Sequence, residues 1–303
     1  MAVQARSAGS VSTRHVASDV WKRRFGRIMT YGLLCGWGIV ALFPLYWVVS
    51  TSIKSPTAVY EGPYYVPFVD YWPSNEGWQA ATSGAFQEQY FRALGNSASM
   101  AIFGAALAIL LGSMAGYGLA RFRYKIGPMS NRDINIWFIA QVILPPATVI
   151  FPLLVMFKYA HLLDTQLGMI LVYASGNLPL CVWIMQDHFK GMPIELEESA
   201  FVDGATRLQT FFRISLPLAM PGLIAAYLLV LVFSWNEYFM AVNLTSADAQ
   251  TMPILIFNQS TGRQLAWWTM AAMATTSIAP MIVIGLVLEK YIVAGLQAGA
   301  IKG

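Results

Sequence analysis

Charge is what this sequence has least of. Only 11% of its 303 residues are Asp, Glu, Lys or Arg, and 57% are hydrophobic, against about 25% charged in an ordinary soluble domain. That balance excludes a water-soluble globule and points to a membrane protein. Cysteine is nearly absent: Cys35 and Cys181 both lie in apolar stretches, which argues against a disulfide framework or a thiolate metal site. The three histidines, His15, His161 and His188, are scattered, with no His-Glu-x-x-His and no nucleophile–base pairing. No Gly-x-x-x-x-Gly-Lys-Ser/Thr phosphate loop occurs, so the chain is not expected to hydrolyse ATP or to act as an enzyme. No metal, no cofactor of its own and no nucleic-acid partner are expected. No internal repeat or low-complexity segment stands out. The first 28 residues are polar and basic, and the apolar run that follows is too long for a signal-peptide core, so no cleavable leader is expected.

What the chain does have is long apolar runs. Residues 1–27 carry Arg6, Arg14, Lys22, Arg23, Arg24 and Arg27 and are read as a disordered basic arm. Six spans follow, each long enough for a hydrocarbon core of about 30 Å. They are placed at about 28–49, 93–119, 134–157, 167–185, 222–241 and 268–288. The second is dense in small residues, among them Gly104, Gly112 and Gly116, which predicts an interior position against other helices. The third is predicted to be interrupted at Pro145-Pro146, and the fourth at Gly176-Asn177-Leu178-Pro179. Residues 54–92, with four prolines and many aromatics, read as an irregular loop outside the membrane. Those aromatics either pin the loop to the interface or stack on a sugar or a partner. The expected fold class is therefore all-α, a polytopic membrane protein with six transmembrane helices.

Basic residues fix the expected orientation. With six spans, fifteen Lys and Arg gather on one side of the membrane and four on the other. The positive-inside rule then puts both termini in the cytoplasm, together with the segment joining the fourth and fifth spans.

That segment, about 190–218, is the most structured polar stretch in the chain. Pro193 suits a first helical turn, with Glu195, Glu197 and Glu198 near a helix N-terminus. Gly204 is a C-terminal stop, and Thr206 with Gln209 has the form of a capping box. Pro217 and Pro221 re-aim the chain into the next span. The product is a helix-turn-helix bracket between two spans. Ala200, Gly204 and Ala205 are read as keeping its backbone accessible to a partner, and Ile194 and Phe201 as one apolar helix face.

The same residues carry a resemblance. Glu198, Ser199 and Ala200, then Asp203-Gly204, then Ile214, Leu216 and Pro217 resemble the "EAA" loop of ABC importer permeases; Ser199 replaces the usual second small Ala. The ending from Gly295, with Gly299, Ala300, Lys302 and Gly303, resembles that of the carbohydrate permeases of the maltose-transporter type. The resemblance covers residues 28–303, with a tail at 289–303. It implies a coupling helix, Phe201 included, seated in a cleft of an ATP-binding subunit, and a tail that reaches into the ATPase dimer. It further implies a second permease subunit, two ATP-binding subunits that hold ATP and Mg, an extracytoplasmic solute-binding protein, and a bacterial inner membrane with its lipid.

Polar residues inside spans are the other candidates. Glu237, in Trp235-Asn236-Glu237-Tyr238, falls about fifteen residues into the fifth span, or about 22 Å along it. An intramembrane carboxylate is a functional candidate by default. A similar Trp-Asn-Glu pattern in the sugar permeases implies gating or structure over substrate contact. Gln141 and Asn177 are the remaining candidates to line a cavity. The reading is a permease subunit of an ATP-driven importer of a sugar or sugar-like solute, working by alternating access. Left open are glycerol phosphate or a polyol as cargo, and a proton-coupled transporter using Glu237.

Overall fold

A computed structural model of the protein describes residues 13–260 and 266–300, with side chains over 24–260 and 266–290 apart from Ala85 and Ile126. The chain forms two compact units, residues 1–50 and 51–303. The described part of the first is one helix, α1 (Thr13–Ser52), whose last two residues fall in the second unit; it begins fifteen residues ahead of the expected span and so replaces the second half of the expected disordered arm. Residues 1–12 lie outside the described part.

The second unit is helical throughout, apart from one two-residue hairpin, β1 (Lys125–Ile126) and β2 (Met129–Ser130), among the described residues. Its helices are α2 (Pro56–Glu61), α3 (Glu76–Thr82), α4 (Gln87–Arg121), α5 (Asn131–Ile143), α6 (Pro146–Tyr159) and α7 (Gln166–Lys190). They continue with α8 (Glu195–Val202), α9 (Arg207–Thr210), a π-turn (Phe211–Ser215), α10 (Leu216–Leu218), α11 (Met220–Trp235), α12 (Phe239–Leu244), α13 (Met252–Asn258) and α14 (Trp267–Ala300). Four helices, α1, α4, α7 and α14, are long and apolar enough to cross a membrane singly. Two bent pairs bring the number to six if each is counted as one span: α5 with α6, at 93°, and the 207–218 segment with α11, at 78°.

Proline decides only one of the two expected interruptions. Pro145-Pro146 turns α5 into α6 through a near right angle. Pro179, by contrast, lies inside a continuous α7, correcting the expected break there. Asn177 Nδ2 donates to the Tyr173 carbonyl at 2.9 Å, one turn back along α7. The fifth span is also corrected. Its helix ends at Trp235, and residues 236–238 form a break before α12. The last helix runs on through residues expected to be tail, so Gly299 and Ala300 belong to α14, while Lys302 and Gly303 lie outside the described residues.

The core is the pair α4 and α7. A Cβ on Gly112 would stand 2.3 Å from Cys181 Cβ, and one on Gly116 would stand 2.9 Å from Gln186 N. Gly112 and Gly116 form a Gly-x-x-x-Gly pair, which lets two backbones meet at a distance no larger residue permits. Around them Ala101, Ala105, Ala108, Met185, Val230 and Trp235 complete a buried cluster that takes in α11.

Beyond the far ends of the spans, residues 54–92 are more ordered than expected. Gly77 of α3 lies against the Trp268 carbonyl of α14, and Tyr71 is buried while Phe68 and Trp72 stay exposed. Asp164, between α6 and α7, accepts N–H donors from Ser246, Ala247, Asp248 and Ala249 at 2.9–3.1 Å, and the Ser246 hydroxyl at 2.8 Å. Burial alone would raise this carboxyl, but the Ala249, Ser246 and Asp248 amides outweigh it and hold Asp164 well below the usual carboxylate range.

Gly112→Leu is expected to wedge α4 from α7 and lower stability by about 1–3 kcal/mol or more. Gly95→Ala, whose Cβ meets nothing within 4 Å, should instead gain about 0.8–1.0 kcal/mol of helix propensity; thermal unfolding in detergent measures both. The depressed Asp164 carboxyl stabilises the folded state above its unfolded value and loses that effect as pH falls through its folded value. Asp164→Asn should therefore lower the unfolding temperature near pH 7, and its difference from the parent should shrink as pH is taken toward about 3.

Candidate functional site

The bracket forms as its sequence dictates. Helix α8 opens with Glu195, Glu197 and Glu198 in its first turn. It stops where Gly204 adopts φ +83°, a left-handed conformation that costs a side-chain-bearing residue and suits glycine. The Gly204 and Ala205 amides then donate to the Phe201 and Ala200 carbonyls, closing the helix end. The Thr206 capping box is complete: its amide donates to Gln209 Oε1 at 2.8 Å, and the Gln209 amide donates to Thr206 Oγ1 at 3.3 Å. After α9 the backbone widens into the π-turn and bends at Ala219 into α11.

Helical spacing sorts the residues of the bracket into two faces. Glu197 and Ala200, three apart, point inward and are buried. Ala200 therefore does not offer accessible backbone to a partner, contrary to expectation; it packs, and Gly204 with Asp203 forms the exposed tip. Glu198 and Ser199 are exposed, Phe201, one turn beyond Glu197, is 40% exposed at the edge of that face, and Val202 is 87% exposed. Ile194, Leu196 and Leu208 add to this exposed apolar surface. Ile214 and Leu216 are half-buried and Pro217 is exposed.

The inward face is anchored by contacts that the sequence reading missed. Glu197, read only as one of three N-terminal acids, accepts from Arg121 Nε at 2.9 Å, Ser215 Oγ at 3.0 Å and the Tyr117 hydroxyl at 3.0 Å. Tyr117 also centres an aromatic cluster, with Phe211 at 4.9 Å, Phe189 at 5.3 Å and Phe122 at 5.9 Å. Arg207 stacks over Phe122 at 4.4 Å. The available signal was the spacing of Tyr117 and Arg121, one turn apart at the end of an apolar helix.

The intramembrane candidates do not converge on one cavity. Glu237 sits in the break after α11, where its carboxylate accepts from the Met240 and Ala241 amides at 2.7 and 3.0 Å. It therefore caps α12. Trp235 Nε1 donates to the Ser277 carbonyl at 3.2 Å, tying the break to α14. Asn177 reaches Ser234 Oγ at 3.3 Å, joining α7 to α11. Gln141, on α5, has a buried Nε2 without a hydrogen-bond partner. Asn236 and Tyr238, with Phe257 and Met270, line an open crevice of about 420 Å³. Among the described residues no group of His, Cys, Asp and Glu is arranged to hold a metal.

Comparison with known proteins agrees with this architecture. The family described as "Binding-protein-dependent transport system inner membrane component" matches residues 108–297. The trehalose transport system permease protein SugB of Mycobacterium tuberculosis is 34% identical over 270 residues, covering 87% of this chain and 93% of the relative. The inner membrane ABC transporter permease protein YcjP of Escherichia coli is 30% identical over 302 residues, 93% of this chain and 99% of the relative. A chain from the crystal structure of a bacterial ABC transporter involved in import of the acidic polysaccharide alginate superposes with a TM-score of 0.72. It is 21% identical and covers 89% of this chain and 97% of its own length, a likeness of fold.

Glu237→Ala removes the acceptor for two amides and should lower stability by about 0.5–2 kcal/mol, the usual effect of losing a helix cap. Thermal unfolding and amide exchange at Met240 and Ala241 measure it, and Glu237→Gln should restore part of the loss. Unchanged exchange at both amides in Glu237→Ala would show that the cap does not hold the break.

Proposed function

Because the chain belongs to the binding-protein-dependent transport system inner membrane component family, as a carbohydrate-type ABC importer permease, we propose that it forms half of an ATP-driven pathway for a sugar or sugar-like small solute. The observation that carries the reading is the bracket's exposed apolar face. Ile194, Phe201, Val202 and Leu208 stand out from a segment whose other face is buried and hydrogen-bonded. An apolar surface on a rigid polar mount suits a protein partner whose groove closes over it.

In this proposal that partner is one of two ATP-binding subunits, which supply ATP and Mg. A second permease subunit completes the pathway, and an extracytoplasmic solute-binding protein delivers the cargo. The excess of Lys and Arg on the bracket's side supports a cytoplasmic bracket and cytoplasmic termini in a bacterial inner membrane. Closure of the ATPases would move the bracket and turn the pathway from one side of the membrane to the other, the two states of alternating access. In the same proposal the tail, with Gly299, Ala300, Lys302 and Gly303, is the part that engages those ATPases. The relative named for trehalose transport supports a saccharide as cargo. The engagement of both Glu237 oxygens as a helix cap supports a structural role there over a proton site.

Val202→Asp tests the proposal without disturbing the fold, since a substitution at so exposed a site changes stability by only about 0.5 kcal/mol. Purified gently from its membrane, the parent should bring a second six-span subunit and an ATPase. The Val202→Asp variant should reach the membrane at the parent's level but retain less than about a tenth of the ATPase, the ratio produced by about 1.4 kcal/mol of lost affinity. Full retention would remove the bracket from the interface.

A further inference from the structure

The bracket's inward face holds a buried ion pair that spans several elements. The Glu197 and Arg121 side chains are only 4% and 8% exposed. Glu197 Oε1 accepts from Arg121 Nε on α4 and from Ser215 Oγ on the π-turn, and Oε2 accepts from the Tyr117 hydroxyl, again on α4. Arg121 Nη2 continues the network by donating to the Met192 carbonyl at 3.2 Å, in the link between α7 and α8. One carboxylate thus binds α8 to the last turn of α4 and to the segment that leads into α11.

A buried ion pair is a poor device for stability alone, because desolvation of both charges offsets their attraction, and apolar residues of equal size often serve as well. What this one supplies is direction. Two oxygens with three donors fix α8 in translation and rotation, as contact between greasy side chains does not. The π-turn has the same consequence. Its wider backbone brings Ser215 within reach of both Glu197 and the Thr210 carbonyl, the latter at 3.5 Å, and such insertions accompany functional sites. Glu197 is buried while Val202, on the far side of the same helix, is 87% exposed, so a partner can push the outer face without touching the lock.

We propose that Glu197 and Arg121 are positioning residues that make α8 and α4 move as one body when the ATP-binding partner closes on the bracket. This deepens the importer reading and rests on it. Tyr117 and Ser215 support the same joint, and the α4–α7 contact through Gly112 and Gly116 carries its motion into the bundle.

The test uses the whole complex and needs no transported ligand. In a Cys35→Ser background, with Cys181 buried, spin labels are placed at the exposed Glu195→Cys on α8 and at the exposed Met114→Cys on α4. Their separation is measured with and without ATP and Mg. The parent should give one narrow distance that nucleotide leaves unchanged. Glu197→Gln should bind and hydrolyse ATP yet give a broadened distance that shifts on nucleotide addition. Tyr117→Phe, which deletes one donor and keeps the ring, should show a smaller shift and serves if Glu197→Gln does not fold. A nucleotide-dependent distance in the parent, or a fixed narrow distance in both variants, overturns the joint while leaving the importer reading intact. Failure of any ATPase to accompany the unlabelled parent overturns the importer reading, and the joint with it.

Discussion

Everything in this fold depends on how closely α4 can approach α7. Between apolar helices in lipid the hydrophobic effect supplies little, because hydrocarbon is as good a neighbour as leucine, and what remains is dispersion between well-fitted surfaces. Gly112 against Cys181 and Gly116 against the backbone at Gln186 make that fit. Tyr117, next to Gly116, and Arg121, one turn farther along α4, emerge beside the bracket with their positions already set. The glycine seam and the ion pair are consecutive parts of one helix, so the rigidity of the first gives the second a firm base.

Three carboxylates show how one chemical group serves three environments. Asp164 gathers the amides of a loop between helices, where water still competes. Glu237 caps a short helix inside a broken span, where unpaired amides would be costly. Glu197 meets a guanidinium and two hydroxyls away from solvent. The first two organise backbone close to themselves in space, whereas the third joins side chains of separate helices. That arrangement holds α8, α4 and the π-turn together through side chains alone.

Local features of the bracket were legible because they depend on neighbours in sequence. Gly204 as the stop, the Thr206–Gln209 box and the turn at Pro145-Pro146 all follow from intrinsic backbone chemistry. The partners of Glu197 and Asp164 were not legible, since Arg121 lies 76 residues from Glu197 and Ala249 lies 85 from Asp164. Pro179 misled for a related reason. It is buried inside a long helix packed on its neighbours, and that tertiary setting is not displayed by the segment's own sequence. Glu237 was read as an intramembrane charge, whereas the break at 236–238 makes it a cap on α12. Ala200 was misread because smallness alone does not say which face of α8 it occupies, and burial of Glu197 three residues earlier settles that.

The shape of the fifth span ties these parts together. Helix α11 has sixteen residues, about 24 Å at 1.5 Å per residue, short of a hydrocarbon core of about 30 Å. It begins at the bend that closes the bracket and ends at the break capped by Glu237. A short rod with a corner at each end can tilt without dragging a continuous helix through the membrane. Trp235, bonded to Ser277 on α14, and Ser234, bonded to Asn177 on α7, locate its far end. Glu197, through Ser215, locates its near end relative to α4. In the proposed importer, a displacement delivered to the bracket would meet a lever whose two ends are defined by hydrogen bonds, and the break would absorb the change in angle that a straight helix has to resist.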